Sequence, residues 1–408
     1  MVVALTALAV VIGYTDRVNM SVAAVAMKTR LGWSQTEKGL ILSAFFVGYI
    51  LFMFISGALA TRYGGKRVLG LAVLAWSLLT LATPFAAALS VPVLIAARIA
   101  MGLSEAAMFP CSYELFGRWV PAAERGRSVA RLLTGVPLGT LLGLLATGWI
   151  VARLGWQMAF YVFGIVGLGW VFVWFSTVHN DPATDRRLSD AERALLPRQA
   201  PAAQASIPWR RLLLRRPVCG IATAHFATTW SLYVLLSWLP SYFSEVQGLS
   251  IANAGAFSAA PWLAMIVVTN LSGVACDRMI RRGVSVTAAR KLMQCGGLII
   301  SAACLLAMRG LHSAGIAETL LCGATGALGM CWCGCTPAMI DVAPRHAALV
   351  GAFSNTIATI PGIVGVAVVG WLIDVTGTYS AAFVLTALVS GIGALVFGLL
   401  FDARPLVD

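Results

Sequence analysis

Apolar positions in this chain come in long unbroken runs, and polar positions are confined to the short interruptions between them. A helix that crosses the hydrocarbon core of a bilayer needs about 20 mostly apolar residues. Runs of that length predict helices near 2–24, 39–60, 68–88, 92–116, 128–151 and 157–177. A polar stretch follows at 178–214, and then six more helices near 216–243, 253–276, 291–308, 312–339, 348–373 and 379–401. A membrane β-barrel would instead show segments of about ten alternating residues. Runs such as LGLAVLAWSLLTLATPFAAAL have no alternation. The expected fold class is an all-α polytopic membrane protein, with twelve transmembrane helices in two six-helix bundles.

The halves share marks. Gly57-Ala58-Leu59-Ala60-Thr61-Arg62, running into Tyr63-Gly64-Gly65-Lys66-Arg67, returns as Gly273-Val274-Ala275-Cys276-Asp277-Arg278 with Arg281, Arg282 and Gly283. Gly148-Trp149 with Gly155 returns as Gly370-Trp371 with Gly377. The two offsets, 216 and 222 residues, fall at equivalent places in the two sets of six spans. Secondary transporters are often built from such repeats. The expected organisation is an N-terminal bundle over 1–177, a cytoplasmic linker over 178–214 and a C-terminal bundle over 215–408. Gly57, Arg62, Gly64, Arg67, Gly273, Asp277 and Arg278 form the expected gating motif: glycines let helix ends approach, and charged turns pair with neighbouring helix ends in one conformational state.

Composition agrees with the pattern. Of the 408 residues 59% are hydrophobic and 11% are Asp, Glu, Lys or Arg, less than half the charged share usual in soluble domains. The net charge of +13 is a topology signal. With both termini on the cytoplasmic side, that side holds 22 of the 29 Lys and Arg residues, as the positive-inside rule requires. Lys28, Arg30, Lys38, Arg153 and Arg309 fall opposite. No basic surface is interleaved with stacking aromatics, so a nucleic-acid partner is not expected. The opening MVVALTALAVVIG lacks a basic segment and precedes no soluble domain, so it reads as a span rather than a removed leader. Among the nine cysteines, Cys331, Cys333 and Cys335 invite a metal reading. Spacing by two on a helix sends successive thiols in different directions, and they read as small packing residues.

Against this background the ionisable residues inside spans stand out, because each is costly in lipid and ordinarily faces a cavity or partner. Span 1 carries Asp16, Arg17 and Asn19; span 4 carries Arg98, Gly102 and Glu105 on one helical face, with Pro110 bending the helix beyond them. Arg offers a planar fork that suits a carboxylate, which makes Arg17 and Arg98 the candidate substrate-binding residues. A carboxyl in a dry cavity can load and release a proton near neutral pH, which points to Glu105 and Asp16 for proton coupling. The alternative, that these groups only hold helices together, stays open at this level. Polar Asn355 in span 11 is a candidate hydrogen-bond donor, with Trp332 and Tyr49 as candidate cavity aromatics. Glu114, Glu318 and His225 have no assigned role.

These residues resemble a known pattern. Tyr14-Thr15-Asp16-Arg17-Val18-Asn19-Met20-Ser21, Ser43-Ala44-Phe45-Phe46-Val47-Gly48-Tyr49, Arg98 through Pro110, and the loop from Trp119-Val120-Pro121 to Glu124-Arg125 are similar to the anion:cation symporter branch of the major facilitator superfamily. That branch includes bacterial hexuronate, glucarate, galactonate and phthalate transporters. The resemblance covers nearly the whole chain. It implies the major facilitator fold and carboxylate contacts at Arg17 and Arg98. It further implies proton coupling through Asp16 and Glu105, and cavity positions at Tyr49 and Asn355. Two departures are visible: Thr61 stands where an acid is usual, and Gly65 where a base is usual.

The resulting expectation is a monomeric transporter of the bacterial inner membrane that takes up a carboxylate, a sugar acid such as a hexonate, hexuronate or hexarate, by proton symport and alternating access. No cofactor and no enzymatic chemistry are expected, and the partners are a small organic anion and the bilayer. An exchanger or exporter of organic anions, aromatic carboxylates included, is the alternative. A membrane sensor with a dead transport cycle is the third, disfavoured by charges retained at both the substrate and the coupling positions.

Overall fold

A computed structural model describes residues 1–121, 124–179, 181–182, 185, 212–311, 313–344 and 346–406. The described residues form thirteen helices and no strand. In chain order they are α1 (Val2–Leu31), α2 (Gln35–Tyr63), α3 (Gly65–Leu89), α4 (Val91–Glu105), α5 (Met108–Trp119), α6 (Arg125–Leu154), α7 (Trp156–Thr177), α8 (Arg216–Glu245), α9 (Ile251–Arg281), α10 (Val286–Ala307), α11 (Ala314–Val342), α12 (Ala347–Thr376) and α13 (Tyr379–Leu400). Helices α4 and α5 together make one span, Val91–Trp119, so twelve segments are long and apolar enough to cross a membrane. The expected 178–214 linker lies largely outside the described residues.

Backbone chemistry accounts for the divisions between spans. Ser90 separates α3 from α4, its hydroxyl accepting from Val93 N at 3.4 Å, and Pro92 follows in the first turn, where a missing N–H costs nothing. Ser250 and Ser285 begin α9 and α10 in the same way. Gly155 and Gly377, the repeated glycines of the sequence, both have positive φ, 89° and 67°. A side chain there would be strained, so each ends its helix and turns the chain into the next.

The chain divides into two compact units. One comprises Met1–Met27 with Ile41–Gln204, the other Lys28–Leu40 with Ala205–Asp408.

In the first unit, glycines set the helix spacing. On α6, Gly135, Gly139 and Gly143 face α1: a Cβ on Gly139 would stand 2.4 Å from the Val11 carbonyl, and one on Gly143 2.9 Å from Thr15 Cα. Thr15 Oγ1 donates to Gly139 O at 3.1 Å. Close approach of this kind is how small residues pack membrane helices. Helices α2 and α4 meet still more tightly. A Cβ on Gly102 would fall 1.9 Å from the Phe45 carbonyl oxygen, and one on Gly48 1.9 Å from that of Ile99.

In the second unit, α11 packs against α9 through Gly326 and Gly329, and against α10 through Gly334. Its cysteines diverge: Cys331 Sγ points at Gln294 O of α10 (3.6 Å), Cys333 at Thr269 O of α9 (3.4 Å) and Cys335 at Ile221 O of α8 (3.8 Å). One sequence expectation fails here. Lys38, counted among loop charges, is inside α2 and wholly buried. Its ammonium donates to Ser241 Oγ at 3.0 Å and Glu245 Oε1 at 3.1 Å, 4.7 Å from the Trp238 ring. Glu245 also accepts from Gln35 Nε2 (2.6 Å) and Tyr379 OH (2.8 Å). A lysine this deep needs such partners to offset its lost hydration.

Candidate functional site

The first unit collects the four buried ionisable residues that the sequence singles out. Asp16, Arg17, Arg98 and Glu105 are 1%, 6%, 2% and 0% exposed. Two helix contacts bring them together. The α1–α6 glycine contact holds the stretch Thr15–Val18, and the α2–α4 contact at Gly48 and Gly102 sets Arg98 and Glu105 beside Phe45. Gly13 lies against the same span, since a Cβ there would stand 3.2 Å from Met108 Sδ and 3.9 Å from Glu105 Oε2.

One turn later, Arg17 Nη2 donates to Glu105 Oε2 at 3.0 Å, across 88 residues of sequence. The guanidinium also lies over the rings of Phe45 (4.5 Å), Tyr14 (4.6 Å) and Tyr49 (5.2 Å), a geometry that favours a cation on an aromatic face.

Arg98 is held differently. It shares a helix face with Glu105 but leaves that carboxylate to Arg17. Among the described residues its one hydrogen-bond partner is the Met101 thioether, 3.2 Å from Nη1, and Nε has none. Its guanidinium lies 5.3 Å from the Phe45 ring centre. A thioether is a weak acceptor, so this cation is under-satisfied for its depth. Asp16 is the complementary case: both carboxyl oxygens are buried with no hydrogen bond among the described residues. Two cations and two carboxyls therefore share one buried region, with one pair hydrogen-bonded and the other, Arg98 and Asp16, attracting each other without a hydrogen bond between them.

Span 4 stays one helical span beside this cluster, as the expected helix over 92–116 has it, but its regular ladder lapses between α4 and α5 at Ala106 and Ala107, which keep right-handed helical dihedrals (φ/ψ −59°/−21° and −75°/−17°). The remaining candidates lie as follows. Tyr49 is half-buried on α2. In the second unit, Trp332 of α11 meets the His225 ring edge to face at 5.7 Å, and Asn355 of α12 is exposed, its carbonyl accepting from Thr359 Oγ1 at 2.8 Å. The expected gating residues Arg62, Arg67, Asp277 and Arg278 are exposed. Ion pairs near them use other residues, Glu114–Arg118 in the first unit and Arg290–Asp341 (2.9 Å) in the second. Glu114 explains Gly65, since it accepts from Gly65 N at 2.8 Å and a Cβ there would stand 2.5 Å from its Oε2.

Phe45, Met101 and His225 make contacts here to which the sequence pattern assigns no role. Phe45 had a signal, since it lies four residues before Tyr49 on the same helix face. His225 had none: its Nδ1 is 2.9 Å from Ser354 Oγ, a partner 129 residues away.

Known proteins fit this picture. The chain is 33% identical over 395 residues to probable anion transporter 4, chloroplastic, of Oryza sativa subsp. japonica, covering 96% of this chain and 67% of the relative. It is equally similar, 33% over 395 residues, to sodium-dependent phosphate transport protein 1, chloroplastic, of Arabidopsis thaliana, covering 96% and 77%. The ascorbate transporter, chloroplastic, of the same plant is 32% identical over 398 residues, covering 96% and 73%. Among solved structures, a bacterial homologue of the human lysosomal transporter Spinster has a TM-score of 0.80 at 17% identity, covering 97% of this chain and 95% of that one. A D-xylose–proton symporter has a TM-score of 0.72 at 16% identity, covering 99% of each chain; both likenesses bear on the fold alone. The profile of the Major Facilitator Superfamily matches residues 6–366. The chain belongs to the Major Facilitator Superfamily, as a multi-pass membrane transporter rather than an enzyme.

Proposed function

We propose that this chain takes up an organic carboxylate of the sugar-acid class (hexonate, hexuronate or hexarate) by proton symport and alternating access. The observation that carries the reading is the state of Arg98, a cation 2% exposed whose one hydrogen-bond partner among the described residues is a methionine sulfur. A guanidinium presents a planar fork that a carboxylate matches with two hydrogen bonds. An arriving anion supplies what the protein leaves out.

Charge balance supports coupling to a proton. Asp16, Glu105, Arg17 and Arg98 sum to zero when all are ionised. A monovalent anion makes the buried cluster negative, and uncompensated charge in a medium of low polarisability is expensive. One proton on Asp16 or Glu105 restores neutrality. Proton and anion then enter and leave together because either alone leaves a net charge behind. The asymmetry of Lys and Arg along the chain supports an inner-membrane location with both termini cytoplasmic. The chain works as a monomer in this reading and needs no cofactor.

The names of the plant relatives bring in a second reading, sodium-coupled transport of phosphate, because a guanidinium fork also suits a phosphate. Both readings meet the same experiment. Purified protein is screened for binding of hexonates, hexuronates, hexarates, aromatic acids, ascorbate and phosphate, then repeated with Arg98→Ala. Sugar-acid binding lost in the variant is the expected result. Phosphate binding alone would replace the first reading by the second, and unchanged binding in Arg98→Ala would remove the arginine from the site. In proteoliposomes, Glu105→Gln should abolish accumulation driven by a proton gradient and spare counterflow. Accumulation at the wild-type rate would clear Glu105 of any coupling role.

A further inference from the structure

Proline lacks an N–H, and within a helix its ring crowds the carbonyl four residues earlier. For Pro110 that carbonyl belongs to Ala106, and the regular ladder of the fourth span lapses there, after Glu105, though the backbone stays helical. Ala106 N still bonds Gly102 O at 3.1 Å, but Ala107 N turns back to Ser104 O at 3.4 Å, the shorter step of a tightened turn. The Ala106 carbonyl loses its helical donor in a place with no access to solvent, since Ala106 is fully buried. A buried carbonyl without a donor forfeits its hydration with nothing in return.

Helix α2 supplies the donor. Ser56, itself fully buried, places Oγ 3.2 Å from Ala106 O and 2.9 Å from Met53 O of its own helix. The single hydroxyl proton is shared between the two. The neighbouring residue closes the contact, because a Cβ on Gly57 would lie 3.9 Å from Pro110 Cβ. The second unit meets the same problem with another donor. Pro337 frees the Cys333 carbonyl, and Arg290 Nη1 donates to it at 3.3 Å.

We infer that Ser56 is a positioning residue for Glu105: its hydroxyl bonds the carbonyl that Pro110 strips of a donor, and so fixes the tightened turn that aims the Glu105 carboxylate at Arg17. The consequence for transport rests on the coupling role proposed for Glu105; the geometric assignment does not.

The test therefore needs no transported solute. Thermal stability of the purified full-length protein is measured across the acid-to-neutral pH range. The variants are Ser56→Ala, Ser56→Thr, Pro110→Ala, the Ser56→Ala/Pro110→Ala pair, and Ser56→Ala in a Glu105→Gln background. A Ser56→Ala change should displace the pH profile by about one unit, a roughly tenfold change in proton affinity, and Ser56→Thr should restore it. Neither the Pro110→Ala background, where residue 110 has its own N–H, nor the Glu105→Gln background should show any displacement by Ser56→Ala. A uniform fall in melting temperature at every pH would mark Ser56 as mere packing and overturn the inference. So would an equal displacement with and without Pro110. If Ser56→Ala does not fold, Ser56→Cys, with a weaker donor, should give a smaller displacement of the same kind; an unmoved profile there overturns the inference as well. Proton-driven accumulation lost in Ser56→Ala and kept in Ser56→Thr would extend the assignment to coupling. A displaced profile with unaltered accumulation would keep the geometry and defeat the transport reading.

Discussion

Pro110 and Pro337 pose one problem to two regions of the molecule, and the answers differ. In the first unit the freed carbonyl takes a neutral hydroxyl, the helical turn tightens, and a carboxylate stands one residue before it. In the second, α11 runs unbroken through Pro337, and the freed carbonyl takes an arginine that is also bonded to Asp341 at 2.9 Å. A charged donor with its own counterion ties α10 to α11. A shared hydroxyl proton is a weaker tie. The comparison shows that the more weakly tied of these two proline turns stands beside the buried charges.

The largest effect should come from the paired cation. Arg17→Ala leaves Glu105 charged, buried and without its bonded partner, a loss of about 3–5 kcal/mol, read as a collapse in melting temperature. Next, the glycine contacts can be set against each other. Gly102→Ala drives a Cβ into the Phe45 carbonyl at 1.9 Å, whereas Gly329→Ala meets Thr269 Oγ1 at 2.6 Å and Met265 O at 2.9 Å. Overpacking costs about 1–3 kcal/mol or more, and the first substitution should be the worse in yield and melting temperature. Equal losses would mean that α2 and α4 can separate without harm. Third, Arg290→Ala removes a charge-assisted bond and a carbonyl donor together, about 2–4 kcal/mol, while Ser56→Ala should cost about 1 kcal/mol. A reversed order, measured by denaturation in detergent, would break the comparison of the two prolines. The smallest effect on stability should be that of Arg98→Ala, about 1 kcal/mol and destabilising, because the guanidinium is poorly hydrogen-bonded where it lies but its loss leaves the buried cluster one negative charge in excess until a carboxyl takes up a proton. Its binding of carboxylate should nonetheless disappear.

The sequence by itself determined what local chemistry determines. Run lengths of apolar residues and their polar interruptions are counted along the chain, so the twelve spans are legible, and so are the glycine turns at Gly155 and Gly377. The four buried charges are legible too, since a charge inside an apolar run is conspicuous wherever it points. What only the tertiary structure decided is pairing. On one helix face Arg98 and Glu105 are neighbours, yet Glu105 bonds Arg17 from another helix, because the glycine contacts bring α1 closer to that carboxylate. Lys38 reads as a loop charge but is buried, its counterion Glu245 lying 207 residues away. The irregular turn after Glu105 belongs to both levels. Pro110 marks it in the sequence, but the donor that reaches the freed Ala106 carbonyl, Ser56, comes from 50 residues away. Periodicity is a property of neighbours in sequence, while charge neutralisation and carbonyl capping are settled by neighbours in space.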